Sequence, residues 1–168
     1  SVALDLDGSL DAHRLTAALR APGTGAEIVL AGQWREHAWN GQIERADVQQ
    51  ARYGEWKLEH AVAVQAGIGA ARVAESCWRG DAGRLCADAN WSTAAGVDVH
   101  LSLADLPLTA LRSAFPEGVA ATGVLSGALR VHAQPRDKQA PAVNGTAQLQ
   151  LTAGQLTLAG ITDEALNF

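Results

Sequence analysis

Two short stretches hold most of the residues whose types and spacing promise chemistry. "VALDLDGSL", Val2 to Leu10, has the form of the strand that opens a haloacid-dehalogenase-type phosphatase. There Asp5 would attack phosphorus, Asp7 would handle the proton, and both would hold magnesium. That chemistry also needs long helices between parallel strands, a downstream lysine and an acidic pair. The chain offers only Lys57 and Lys138, and its one late acidic pair is Asp163 and Glu164. Asp5 and Asp7 therefore read as the wet face of an ordinary strand, because a motif counts only in its structural context.

"SCWRGDAGRLC", Ser76 to Cys86, holds both cysteines around an Arg79-Gly80-Asp81 tripeptide. An adhesive loop is one reading, although Gly80 and Asp81 are also plain turn formers. Zinc would need two more ligands, and His13, His37, His60, His100 and His132 lie in separate segments without paired spacing. No metal and no cofactor is expected. A disulfide between Cys77 and Cys86 across a hairpin fits better and would imply an oxidising compartment, with two buried free thiols as the alternative.

The elements that position these residues follow from period-two alternation, the mark of strands with one apolar face. Val97, Val99, Leu101 and Leu103 oppose Asp98, His100 and Ser102. Leu129 and Val131 oppose Arg130 and His132, and Ala147, Leu149 and Leu151 oppose Gln148, Gln150 and Thr152. Further strands are predicted over 2–7, 13–20, 26–34, 39–48, 54–58, 60–66, 70–77 and 85–91, spaced for an antiparallel meander. One short helix is predicted near 106–115, in "DLPLTALRSAFPEG", with Asp105 as cap and Pro107 in the first turn. "QPRDKQAP", Gln134 to Pro141, is predicted to be an exposed, mobile loop.

The totals bound the function. The 168 residues suit a single unit, and the start at Ser1 suggests a piece of a longer protein. A net charge of -5 with no basic block excludes a nucleic-acid footprint. Hydrophobic residues make up 48% and aromatics only 5%, so the apolar surface is expected to be aliphatic.

Taken in order, Trp39-x-Gly41, Gly54-x-Trp56-x-Leu58, Cys77-Trp78 with Leu85-Cys86, "LADLPLTAL", and Gly123 and Gly127 in "GVLSGAL" resemble the large periplasmic TamB proteins of Gram-negative bacteria, in the AsmA-like group. The resemblance spans about 34–158. It implies an all-β fold: a long, mostly antiparallel sheet curled into a U-shaped groove and built as a repeating structure. Its parent would be anchored in the inner membrane and partnered with a TamA-like outer-membrane barrel. The groove would conduct phospholipid acyl chains or assist outer-membrane protein assembly; it is not expected to be an enzyme. Its expected lining is Leu4, Leu6, Ile28, Leu30, Val97, Val99, Leu101, Leu103, Leu129, Val131, Leu149 and Leu151. A packed β-sandwich produces the same alternation, and the resemblance is what favours the groove. Open edges of such a fragment are expected to self-associate.

Overall fold

The computed structural model describes residues 1–51, 53–136, 139–158 and 166–167. Twelve strands form one antiparallel sheet: β1 (Val2–Ser9), β2 (Ala12–Ala21), β3 (Thr24–Arg35), β4 (Ala38–Gln50), β5 (Gly54–Leu58), β6 (Val62–Gly67), β7 (Ala70–Gly80), β8 (Gly83–Ser92), β9 (Gly96–Pro107), β10 (Val119–Arg136), β11 (Gln139–Leu158) and β12 (Leu166–Asn167). They follow chain order across the sheet, except that β5 and β6 share one lane between β4 and β7.

Among the described residues nothing is layered on this sheet: every strand packs only against its hydrogen-bonded neighbours and, for β9 and β10, against one 3-10 helix. A compact protein of 17.5 kDa exposes about 7,900 Å², whereas this chain exposes 11482 Å². No large side chain among the described residues is fully buried. A sandwich, which needs two faces in contact, is excluded by this arrangement. The phosphatase architecture is excluded as well, since among the described residues the sheet has neither parallel strands nor intervening long helices.

Three departures from the sequence pattern have physical causes. The helix is a 3-10 turn over Leu108–Ala114 with Pro107 before it and no side-chain cap. Asp105 does not cap it: the residue lies inside β9 at φ 57, where the β9–β10 register shifts. The extra residue turns Leu106 and Leu108 inward, and both are buried. The loop expected over 134–141 is mostly strand, since β10 and β11 stay paired up to Arg136 and Gln139. Pro135, which has no N–H to donate, sits where that register slips. Asp137 and Lys138 lie outside the described residues.

The third departure lies within β4 and β7. Trp39, Gly41 and Ile43 alternate, then Ala46 and Val48 resume one residue out of phase, and a register shift absorbs the slip. In β7 the same happens between Val73 and Ser76, and between these strands the shared lane breaks at 59–61. Bulges bend a strand and sharpen its twist, so three aligned irregularities crease the sheet along one line. Glutamates stand on that line. Glu44 pairs with Arg14 at 2.6 Å, and Glu59 receives Arg79 and Arg84 at 2.8 Å each.

The Arg84 hydrogen bond, with that of Arg79, holds the Glu59 carboxyl below its ordinary range, against a smaller opposing effect of lost water. A depressed folded value means stability present above the unfolded carboxylate pKa of about 4.3 and lost as pH falls through the lower, folded value. Glu59→Gln should therefore melt earlier than wild type at neutral pH, with the two curves converging in acid below that window. Parallel curves across the whole range would remove Glu59 from the acid response.

The outer edge of β1 has no partner among the described residues, and Val2, Leu4 and Leu6 beside it are exposed. Such an edge pairs readily with another chain. Sedimentation should show association growing with concentration and weakened by Leu4→Lys; a strict monomer at high concentration would contradict this.

Candidate functional site

Residues directly opposite in a ladder share a face, so the registers show what each face carries. Leu6, Leu15, Leu30, Ile43 and Val62 form one row across β1 to β6. Val64, Val73, Ala89, Val99 and Val131 continue as another across β6 to β10. A third runs Leu58, Trp78, Leu85, Leu103, Gly127 and Leu149. Leu4 and Ile28 stand in line through Ala17, Leu101 opposes Leu129, Val97 opposes Trp91, and Leu151 opposes Leu125. The twelve aliphatic residues singled out in the sequence thus share one face, continuous from β1 to β11. At about 4.8 Å per strand this face is roughly 45 Å long.

The opposite face is wet. Asp5 and Asp7 oppose Thr16 and Arg14 there, on an exposed edge strand. Cys77 and Cys86 are opposite one another on the same side, buried, with Cα atoms 4.0 Å apart and joined by a disulfide. Glu75 lies close to both sulfurs, the one metal-like grouping among the described residues. With both sulfurs bonded to each other, no thiolate is left to ligate. Arg79 of the adhesive-looking tripeptide is a strand residue occupied by Glu59.

The face departs from the aliphatic expectation in one respect. Trp34, Trp39, Trp56, Trp78 and Trp91 all fall on it by register. Two of them lie flat over glycines. A Cβ on Gly32 or Gly41 would come within 2.5 Å of the Trp39 ring, and one on Gly80 within 2.6 Å of Trp56. Trp39 Nε1–H donates to His13 Nε2 at 2.7 Å, while His13 Nδ1 faces the Ser9 carbonyl at 3.0 Å, as the neutral Nδ1–H ring requires. Trp56 Nε1–H donates to the Tyr53 carbonyl at 3.0 Å. These bonds satisfy the polar end of each indole on an apolar surface. The available signal was Trp39-x-Gly41, two residues apart and so on one face of a strand.

Gly41→Ala should destabilise by about 1–3 kcal/mol through overpacking, since its Cβ would also meet the Ala31 carbonyl oxygen at 2.4 Å. Tryptophan fluorescence should shift as the indole leaves His13. Gly25→Ala is the control, its Cβ meeting only the Gln49 Cβ at 3.9 Å. Equal melting of the two variants would contradict the packing argument.

Leu6, Leu10, Leu15, Leu30, His13 and Trp39 enclose a hollow of about 630 Å³ at the β1–β2 end of this face. Towards the edges the apolar side chains are open to water: Leu4 is 71% exposed and Leu149 75%. The described residues contain no helix long and apolar enough to cross a membrane. The surface is chemically suited to hold hydrocarbon, with nonspecific contacts along its length.

No match was found among curated proteins or among solved structures. The family described as TamB, N-terminal domain, matches residues 1–167. A match of that extent, on a single antiparallel sheet with one continuous apolar face, shows that the chain belongs to the TamB family.

Proposed function

We propose that the apolar face is a conduit for phospholipid acyl chains, and that the parent protein carries lipid between the inner and outer membranes of a Gram-negative bacterium. The observation that supports this most is the uncovered apolar face running across β1 to β11. Moving an exposed 16-carbon chain through water costs roughly 13 kcal/mol at about 0.8 kcal/mol per methylene. A continuous apolar surface removes most of that barrier without covalent chemistry. The parent's anchoring in the inner membrane, its place in the periplasm and its pairing with a TamA-like barrel belong to the same proposal. They rest on family membership.

A second reading has its own observation. The eight-residue edge of β1 has no partner among the described residues, and a strand of an outer-membrane protein could add to it. Photo-crosslinkers at Leu101, Leu129 and Leu149, with Gln148 and Gln150 on the other face as controls, separate the readings. Lipid adducts at the leucines alone support the conduit. Adducts favouring the glutamines, or protein adducts confined to β1, would count against it.

A further inference from the structure

The outer face carries a second continuous row. Asn40, Gln65, Arg72, Asn90, Asp98 and His132 stand directly opposite one another on β4, β6, β7, β8, β9 and β10. Successive members are separated by the strand spacing, about 4.8 Å. The first four line an open hollow of about 650 Å³ at the rim of the sheet, together with the Glu36–His37 turn, Ile68 and, from the apolar face, Ala66, Ala71 and Trp91. None of these four side chains has a hydrogen bond or ion pair within the described residues. Arg72 shares this with Arg20, Arg35, Arg112 and Arg130, whereas Arg14, Arg45, Lys57, Arg79 and Arg84 face carboxylates.

The turn beside the cavity is costly. Glu36 and His37 hold φ 51 and φ 66, where a non-glycine residue pays roughly 1–2 kcal/mol. Asn-Gly would make that hairpin turn more easily.

We propose that this row binds a linear glycan. Planar amides and a guanidinium offer donors and acceptors side by side, the arrangement that meets neighbouring hydroxyls of a sugar. Glu36 and Arg72 leave the cavity with both signs of charge, which suits a neutral polyhydroxylated chain over a phosphate. Ile68, 85% exposed, offers an apolar wall to the C–H face of a sugar ring. A β-1,4-linked chain repeats its rings at close to the strand spacing, so consecutive rings meet consecutive side chains along the row.

The test is calorimetric titration of the whole chain with β-1,4-linked N-acetylglucosamine oligomers from dimer to hexamer, with cellohexaose and with inorganic phosphate. Affinity should rise about tenfold or more from dimer to hexamer. Arg72→Ala and Asn40→Ala should each weaken the hexamer about tenfold, or about 1.4 kcal/mol, with melting temperature unchanged. Arg72→Gln, which keeps a planar donor and loses the charge, should restore most of the binding, and Lys57→Ala should have no effect. No binding of either hexamer, affinity independent of length in the N-acetylglucosamine series, displacement of the hexamer by phosphate, or equal loss in Lys57→Ala would overturn the proposal. Should one variant fail to fold, Gln65→Ala provides the same comparison.

Discussion

A chain carrying Leu101→Arg should fold and yet fail to load lipid. Leu101 opposes Leu129 and Ala87 midway along β9, and Leu129 is itself 37% exposed. A guanidinium placed there reaches water at the open side, so the cost is about 1–2 kcal/mol, typical of a substitution outside a sealed core. In a domain of this length that corresponds to a melting temperature lower by about 3–8 °C. In a closed core an unpaired charge would cost about 3–5 kcal/mol. Hydrocarbon sliding along the face must pass the charge without being able to solvate it. The expected result is therefore a folded protein with lipid crosslinking at Leu149 reduced to background. A folded variant that loads lipid as well as wild type would remove the conduit, and global unfolding would show that this face is sealed.

The double variant Cys77→Ala, Cys86→Ala should lose stability and keep the groove. The bond closes a loop with a sequence separation of 9, worth about 2.7 kcal/mol on the chain-entropy estimate. Melting should fall by roughly 5–10 °C, while lipid crosslinking persists because the sulfurs lie on the face away from the trough. Non-reducing peptide mapping of oxidised material should recover the linked fragment. Two free thiols there, or a variant that melts with wild type, would contradict the assignment.

The strands and their apolar face were legible because alternation and antiparallel register encode the same information. Val97 to Leu103 alternates without a break, and the structure places the whole set on one face. Local phase slips were harder to read. Nothing in "QIERADV" announces that Ile43 and Ala46 share a side, because the bulge that makes them do so is defined only against β3. Asp105 looked like a helix cap for a related reason: a polar residue before Leu-Pro-Leu fits a cap or a bulge equally well, and pairing with β10 decides. The aromatic floor was hidden by its low percentage. Five tryptophans are few in composition, but register gathers all of them on one side. The outer polar row was invisible in the sequence, since its members come from six separate strands.

That no second layer covers the sheet among the described residues has an evolutionary consequence. Each strand depends for its burial on the two beside it, so the sheet is a one-dimensional array in which distant parts do not constrain each other. A hairpin can be added or deleted without redesigning a shared core. Because strands alternate in direction, whole hairpins are the natural unit: two strands restore both the direction and the rim from which the chain departs. The length of the sheet can therefore evolve in steps of about 10 Å, while the apolar face stays unbroken.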